Sequence, residues 1–271
     1  MLTEIIQIKL SVVMAVHVND DYVAFQTALS YTLEALADYD EMLVIADGQL
    51  TEDHMLVIQG IEDFRLRFYS KNWAGPADAW NMGIQLSTNE WIARMDADDI
   101  CCRDRFDIQK KALMANDYPD LLGSSIVEFD PKYANSDKIR QHKNGPIRLT
   151  NDLILRCKIY HVTCIYRKSA VINAGLYRQF TNFVDYDLWI RMESIGCKMF
   201  NTSDVVVKVR AGSSLASRRR GLKYLNNEIS FFNEHYSMRR FTLLQYLLSL
   251  SLRTLVRIAP SFVVNFFYSV R

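Results

Sequence analysis

Three carboxylates fall within four positions, in the segment Asp96-Ala97-Asp98-Asp99, directly after a run of mostly apolar residues. Carboxylates this close repel one another, and a bound divalent cation would relieve the repulsion. Mg²⁺ or Mn²⁺ suits oxygen ligands of this kind and would share its coordination shell with substrate phosphates. Aspartate is also a good helix N-cap, so the segment could instead be a solvated turn before a helix near Arg103. The segment alone leaves both interpretations open.

A second acidic position is Asp47, which precedes Gly48 and follows the apolar run Met42 to Ala46. Asp-Gly pairs favour tight turns, so a simple turn is one interpretation. Ligands of open α/β sheets, however, collect at the carboxyl ends of the strands. We therefore favour a ligand contact for Asp47.

Two further aspartates, Asp185 and Asp187, lie on either side of Tyr186 where a helix over 185–195 is predicted. A positioned carboxylate can act as a general base and remove the proton of an attacking hydroxyl group. The same residues could instead stabilise the start of the helix. The residues themselves do not decide which of the two aspartates is the base.

Strands and helices alternate in the first half of the chain, which predicts a doubly wound, mostly parallel sheet of the α/β class. Apolar, β-branched runs predict buried strands, and apolar residues at helical spacing predict the helices between them. The predicted strands are 8–16, 42–46, 66–69, 90–95 and 121–129, and the predicted helices are 25–36, 81–86 and 103–116. Asp47 and the acidic segment both follow predicted strands.

The second half of the chain has a different character. Residues 130–151 show little periodicity and are predicted to form a long surface loop. A short helix near Ser169, the helix over 185–195 and a strand over 205–209 follow. The segments 222–232 and 241–258 are predicted to be amphipathic helices that mix arginine with leucine, phenylalanine, tyrosine and valine.

Composition excludes several classes of protein. The chain has 271 residues, of which 49% are apolar, so it can bury a core and is not disordered. A net charge of +1 gives no strong field for nucleic acid, and we expect no nucleic-acid partner. The charge is uneven, because the stretch from Lys208 to Arg271 has eleven basic and two acidic residues. The rest of the chain is therefore net acidic.

The cysteines and apolar stretches bear on the cellular compartment. The five cysteines show no C-x-x-C spacing, which argues against a zinc site and suits a reducing cytosol. Residues 1–18 are predicted to contain a first strand rather than a signal peptide. The uncharged stretch from Phe241 to Leu252 is shorter than the ~20 residues that a membrane span needs. The basic, apolar tail suits helices at a membrane surface, or two ordinary helices packed on the domain.

These motifs, in this order, resemble the family 2 glycosyltransferases of the GT-A fold, and in particular the bacterial branch that builds O-antigen and capsular polysaccharide. The resemblance runs from about Leu10 to Arg220. Its pieces are the opening strand SVVMAV (11–16), VIADG (44–48), AWNMGI (79–84), RMDADD (94–99), which matches the family's D-x-D motif, HVT (161–163) and DYDLW (185–189).

The resemblance implies roles for individual residues. Asp47 would contact the nucleoside of a UDP-sugar, Asp96 would help bind the nucleotide or sugar, and Asp98 would hold Mn²⁺ or Mg²⁺ on the diphosphate. Asp185 would be the catalytic base of an inverting transfer. The remaining expected substrate contacts are Asn81, His161, Arg218 and Arg219. The family usually has acidic residues where this chain has Ala46 and Val184.

The resemblance also implies the substrates and the place of action. The donor would be a UDP-hexose, galactose or glucose, and the acceptor a sugar linked through pyrophosphate to a polyprenyl lipid. The enzyme would be peripheral on the cytoplasmic face of the bacterial plasma membrane, attracted by anionic lipid. Residues 1–220 would form the GT-A domain and 221–271 a membrane-associating tail.

Two other functions stay open. A sugar-phosphate nucleotidyltransferase also combines such a sheet with carboxylate-bound Mg²⁺, but residues 15–20 (AVHVND) lack the glycine-rich phosphate loop expected there. A membrane-docked subunit that keeps the fold but has lost activity is favoured by Ala46 and Val184. The aspartates at 96, 98 and 185 argue against that second alternative.

Overall fold

The structure, a computed structural model, describes residues 7–132, 137–180, 182–211 and 221–258. Within these residues the backbone forms ten strands and eight α-helices. The strands are β1 (Leu10–Val16), β2 (Glu41–Asp47), β3 (Leu66–Lys71), β4 (Trp91–Asp96), β5 (Ile100–Cys101), β6 (Leu121–Phe129), β7 (Lys138–Arg140), β8 (Gly145–Ile147), β9 (Ile165–Arg167) and β10 (Met199–Arg210).

All ten strands belong to one mixed sheet, whose main path runs in the order β3-β2-β1-β4-β9-β6-β10-β5. The first four strands of this order are parallel, and β6 and β10 are parallel to each other. β9 is antiparallel to both of its neighbours, β4 and β6. The expected α/β fold with a mostly parallel sheet is confirmed.

Helices cover both faces of the sheet and begin with recognisable signals. They are α1 (Tyr22–Ala35), α2 (Glu52–Gln59), α3 (Pro76–Leu86), α4 (Arg105–Ala115), α5 (Lys168–Asn173), α6 (Val184–Ser194), α7 (Leu222–Ser237) and α8 (Leu243–Ile258). Asp21 caps α1 by accepting a hydrogen bond from the amide of Ala24 at 2.8 Å. Pro76 stands at the start of α3, where its missing N–H costs no helical bond.

The core lies on the two faces of the sheet. Side chains alternate along a strand, so Val12 of β1 enters one apolar cluster and Val13 enters the other. The first cluster includes Phe25 and Leu29 of α1. The second cluster is formed largely by residues of the C-terminal half, including the fully buried Trp189 of α6. The site described below lies where elements of both halves meet.

The segment 130–151 differs from the predicted irregular loop. Within its described part, β7 pairs with β6 and β8 pairs with the beginning of β10. β10 is also longer than the predicted strand over 205–209, because it pairs with β6, β8 and β5 in turn. Periodicity misses such short strands, since their pairing partners are distant in sequence.

The two C-terminal helices pack on the rest of the protein. Phe231 and Phe232 of α7 are buried in the second cluster. Glu228 of α7 is fully buried and binds the guanidinium groups of Arg253 and Arg257 of α8. In the part of the chain that the structure describes, no helix is both long and apolar enough to span a membrane.

Candidate active site

Parallel strands bring the predicted acidic residues to one edge of the sheet. β2 ends at Asp47 and β4 ends at Asp96, and β1 lies between these two strands. Asp96 stands opposite Ala15 of β1, and Val16 stands opposite Ala46. The carboxylates therefore collect at the carboxyl ends of neighbouring strands, the usual ligand position in such sheets.

Asp47 is buried and holds the loop that follows β3. Its Oδ1 accepts a hydrogen bond from the amide of Ala74 at 3.0 Å, and Lys71 Nζ lies 3.5 Å from the same oxygen. Gly48 has a φ of 99°, and a Cβ there would come within 3.2 Å of Trp73 Cβ. Glycine therefore lets the chain turn close beneath Trp73, whose side chain is exposed.

The acidic turn after β4 places its three aspartates in different environments. Asp96 is half-buried and accepts a hydrogen bond from Arg94 Nη2 at 2.5 Å, whereas Asp98 is exposed. Asp99 is buried and accepts a hydrogen bond from the amide of Arg210 at 2.8 Å. Asp98 is thus the most exposed aspartate of this turn.

Burial and, after it, the closeness of the carboxylates raise the pKa values of two aspartates in this turn. Desolvation and the nearby carboxylates of Asp96 and Asp20 raise the pKa of Asp98. Burial, with the charges of Asp96 and Asp98, raises the pKa of Asp99 to about 8. A cation would stabilise the ionised forms of these groups.

The donor set fits a hard divalent cation that brings other ligands with it. The described residues contain no group of three His, Cys, Asp or Glu side chains placed to hold a metal ion. Mg²⁺ commonly binds through one or two carboxylates and completes its shell with water and substrate phosphates. Asp98, with Asp96 beside it, matches that mode.

Arg94, which the sequence analysis did not select as a site residue, is a buried side chain at this edge of the sheet. It is 2% exposed, and its guanidinium group lies 4.4 Å from the ring centre of Trp80. Besides Asp96, it donates to the carbonyl oxygen of Val13 at 3.3 Å. An arginine inside an otherwise apolar strand was the available signal, since buried arginine needs partners.

His161 and Asn81 both contact Tyr177 and so connect separate segments of the chain. His161 Nε2 lies 2.8 Å from the hydroxyl of Tyr177, and its ring meets Trp80 edge-on at 4.7 Å. Burial, aided by the charge of Arg94, holds the pKa of His161 well below its ordinary value, so the ring is neutral. The amide of Asn81 donates to the carbonyl of Tyr177 at 2.8 Å and accepts from its N–H at 2.9 Å. Their contacts with substrate stay predictions.

The structure separates the two candidate bases. Asp187 is fully buried and is bound by two cations, Arg178 Nε at 3.0 Å and Arg191 Nε at 2.9 Å. His235 Nε2 lies 3.2 Å from the same carboxylate. Burial opposes ionisation of Asp187, but hydrogen bonds from His235, Arg178 and Arg191 outweigh it and hold its pKa well below the ordinary value. These contacts indicate that Asp187 stabilises the fold.

Asp185 is half-buried in the first turn of α6, where the helix dipole favours an ionised carboxylate. Trp189, one turn later on α6, lies 5.9 Å from the ring of Tyr166 in β9, and Tyr166 pairs with Ile92 of β4. α6 thus packs beside the strand that ends in the acidic turn.

Two expected substrate contacts, Arg218 and Arg219, lie outside the described residues. Arg210, at the end of β10, is a second cation beside the acidic turn, after Arg94. Its Nε donates to the carbonyl of Asp98 at 3.1 Å.

Residues 11–179 match the sequence model of glycosyl transferase family 2. This chain belongs to that family. It is 30% identical over 271 residues to an uncharacterized glycosyltransferase of Haemophilus influenzae, covering 96% of this chain and 97% of the relative. The expected enzyme class, a glycosyltransferase, is therefore confirmed.

Two further relatives of this family 2 glycosyltransferase carry functional names. The amylovoran biosynthesis glycosyltransferase AmsE of Erwinia amylovora is 28% identical over 243 residues, which is 84% of this chain and 86% of AmsE. The UDP-Gal:alpha-D-GlcNAc-diphosphoundecaprenol beta-1,3-galactosyltransferase of Escherichia coli is 26% identical over 268 residues, which is 96% of this chain and 95% of that enzyme.

Among solved structures, the fold is similar to that of S. aureus TarS 1-349 in complex with UDP-GlcNAc. The TM-score is 0.64 at 13% sequence identity, and the similarity covers 84% of this chain and 66% of the TarS chain. A likeness at this identity supports the fold of the family 2 glycosyltransferase.

Proposed function

We propose that the protein is an inverting, metal-dependent hexosyltransferase that moves galactose or glucose from a UDP-sugar to a lipid-pyrophosphate-linked sugar in bacterial surface polysaccharide synthesis. One observation carries the proposal. The exposed Asp98 lies at the ligand edge of the sheet, while the carboxylate of Asp185 stands at the start of α6 with its neighbour Asp187 bound by cations. The names of the E. coli and Erwinia relatives support the substrate classes and the pathway type.

The proposed reaction is a direct displacement at the anomeric carbon. Asp185 takes the proton of the acceptor hydroxyl as its oxygen forms the new bond to that carbon. The bond from the anomeric carbon to the UDP oxygen breaks, and UDP leaves with the electron pair. A divalent cation held by Asp98, with Asp96 beside it, would supply positive charge for the departing diphosphate. Asp47 would contact the nucleoside.

The outer face of α8 supports membrane attachment. Six leucines on this face are between 37% and 69% exposed: Leu243, Leu244, Leu247, Leu248, Leu252 and Leu255. The opposite face is polar and faces the protein, with Ser249 bound to the amide of Leu155 at 2.8 Å. We name the six leucines the leucine face. A helix that turns its apolar side outward suits a lipid surface.

A bilayer suits the leucine face better than a second copy of the chain. Its exposed area is on the order of 500 Å², well short of the ~800 Å² per partner of a stable complex. Leu153 and Ile154, next to the segment that binds α8, are also exposed. Because Arg253 and Arg257 are engaged by Glu228, we expect attraction to anionic lipid to come from other cations. The proposed location is the cytoplasmic face of the plasma membrane.

The transfer reaction is tested by UDP release from a panel of UDP-hexoses with a GlcNAc-diphosphate-alkyl acceptor, with Mn²⁺ or with EDTA. We expect release with one donor, dependent on metal and lost in Asp98→Asn and Asp185→Asn. Asp107→Asn, a change at an exposed aspartate of α4, is the matched control and should stay active. Bound UDP without turnover of any donor would favour the inactive-subunit alternative. Activity undiminished by EDTA or by Asp98→Asn would refute the metal assignment.

Membrane attachment is tested by vesicle flotation of the wild type and of Leu244→Gln/Leu247→Gln. We expect the double variant to stay folded and to lose flotation, because both side chains are at least half exposed. Equal flotation of both proteins would refute attachment to the membrane through the leucine face. A concentration-dependent dimer that dissociates in the variant would identify a second copy as the occupant.

A further inference from the structure

A groove of about 710 Å³ lies between the segment 138–148 and the segment 152–160. β7 and β8 form part of one wall, and Glu128 near the end of β6 lies at one side. We name this cavity the basic groove. None of the residues that line it belongs to the site proposed for the UDP-sugar.

The groove has an excess of positive charge. Two of its cations are paired: Arg140 Nε lies 2.9 Å from Glu128 and Lys158 Nζ lies 2.7 Å from Asp152. Three further cations line it, Lys143, Arg148 and Arg156, and all three are exposed. Among the described residues these three form no ion pair, so their charge is available to an anionic ligand.

The groove also has a polar lining. Gln141 and Asn144 line it and are exposed, so hydroxyl groups of a ligand can reach them. The ring of His142 is held against Tyr160 with 4.4 Å between ring centres. A ligand that carries both hydroxyl groups and negative charge would match this lining and the three cations together.

The groove adjoins the helix of the candidate base. Tyr160 lines the groove, and the ring of the next residue, His161, lies 6.0 Å from the ring of Trp189, which follows Asp185 by one turn of α6.

The groove also adjoins the helix of the leucine face, because Asp152 both lines the groove and binds α8. Gln245 of α8 donates to the carbonyl groups of Thr150 and Asp152 at 2.6 and 3.0 Å. A molecule in the groove would thus lie between the base and the proposed lipid surface.

We propose that the basic groove binds the diphosphate and the first sugar of the lipid-linked acceptor. The inference rests on the proposed function and adds the residues that recognise the acceptor. Lys143, Arg148 and Arg156 bind the diphosphate, and Gln141 and Asn144 bind sugar hydroxyl groups. Anchoring of the lipid beside the leucine face brings the acceptor hydroxyl toward Asp185.

The chain supplies its own reporter for this site. Cys157 is exposed, whereas Cys101, Cys164 and Cys197 are buried and Cys102, next to the acidic turn, is half-buried. We would measure the rate at which maleimide labels Cys157 by peptide mass mapping, with labelling of Cys102 as the internal comparison. Alkyl-diphosphate-GlcNAc should slow labelling of Cys157 several-fold. Alkyl-GlcNAc without the diphosphate, and UDP alone, should leave it unchanged.

Charge-removing variants test the same site by kinetics. In Lys143→Gln and Arg156→Gln we expect KM for the diphosphate acceptor to rise about tenfold, with KM for the UDP-sugar unchanged. Lys111→Gln, a change at an exposed lysine of α4, is the matched control and should resemble the wild type.

The outcomes separate this inference from the function on which it rests. Transfer activity without protection of Cys157, or with unchanged acceptor KM in both variants, would refute binding of the acceptor in the basic groove. The proposed function would not be affected by that result. Failure of UDP binding and of transfer, with Cys157 still protected, would overturn the proposed function alone. Protection by phosphatidylglycerol vesicles without acceptor would identify a lipid headgroup as the ligand and refute the inference.

Discussion

Replacing each of the two neighbouring aspartates of α6 by asparagine should have opposite effects on stability and activity. In Asp187→Asn, an amide replaces a carboxylate that is fully buried and bound by Arg178, Arg191 and His235. Loss of one partner from a buried ion pair costs about 3–5 kcal/mol. Arg178 is one-third exposed, so solvent screens its share, and we expect a loss of about 3 kcal/mol.

A loss of that size corresponds to a fall in Tm of about 10 °C for a protein of this length. Asp185→Asn should keep the wild-type Tm within about 2 °C, since the side chain is half-buried at a helix terminus. Its transfer rate should fall by about 10²–10⁴, the usual contribution of a general base. Differential scanning fluorimetry and UDP release on the same preparations measure both quantities.

The reasoning would be refuted by an Asp187→Asn variant that keeps its Tm and loses transfer. That result would make Asp187 the group at the reacting atoms. Equal loss of Tm in both variants would show that the environments of the two aspartates are alike.

Three further predictions concern stability. Gly83→Ala should lower the free energy of unfolding, measured by urea denaturation, by about 1–3 kcal/mol, because the new Cβ would stand 2.4 Å from Val13 Cγ1. A stabilised variant would contradict this close approach of α3 to the sheet. Glu228→Gln should release α8 from the protein, because it weakens the ion pairs with Arg253 and Arg257. Limited proteolysis should then cut the chain faster after residue 237, while α6 stays protected. Equal cleavage along the whole chain would show that these ion pairs do not hold α8. Burial lowers the pKa of His235 although Asp187 opposes the shift. His235 therefore binds a proton more readily in the unfolded chain than in the native protein. The free energy of unfolding should fall as the pH drops below about 6.5, and this dependence on pH should be weaker in His235→Gln.

Local patterns in the sequence were sufficient to predict most of the sheet. Buried parallel strands appear as continuous apolar runs, which is why β1, β2 and β4 were predicted within a few residues. The carboxyl ends of those strands then placed Asp47 and Asp96 at one edge. The family resemblance suggested roles for them that composition and periodicity alone could not supply.

The parts that escaped prediction depend on contacts between distant residues. β7 and β8 are three residues long each and exist because β6 and β10 offer free edges. The buried environment of Asp187 could not be predicted either, because it depends on His235, which comes 48 residues later in the chain and reaches Asp187 only through the packing of α7. The paired state of Arg253 and Arg257 likewise depends on Glu228.

The antiparallel strand β9 sets an order on folding. The first four strands along the sheet path are complete by residue 96, but the free edge of β4 is covered only when Ile165 to Arg167 insert between it and β6. Until the ribosome has made that segment, the nascent chain carries an unpaired, apolar strand edge, which is the kind of edge that pairs with other chains. The three residues of β9 therefore cover this edge and protect it from pairing with other chains. A chain truncated before them would keep the N-terminal half of the sheet with that edge open.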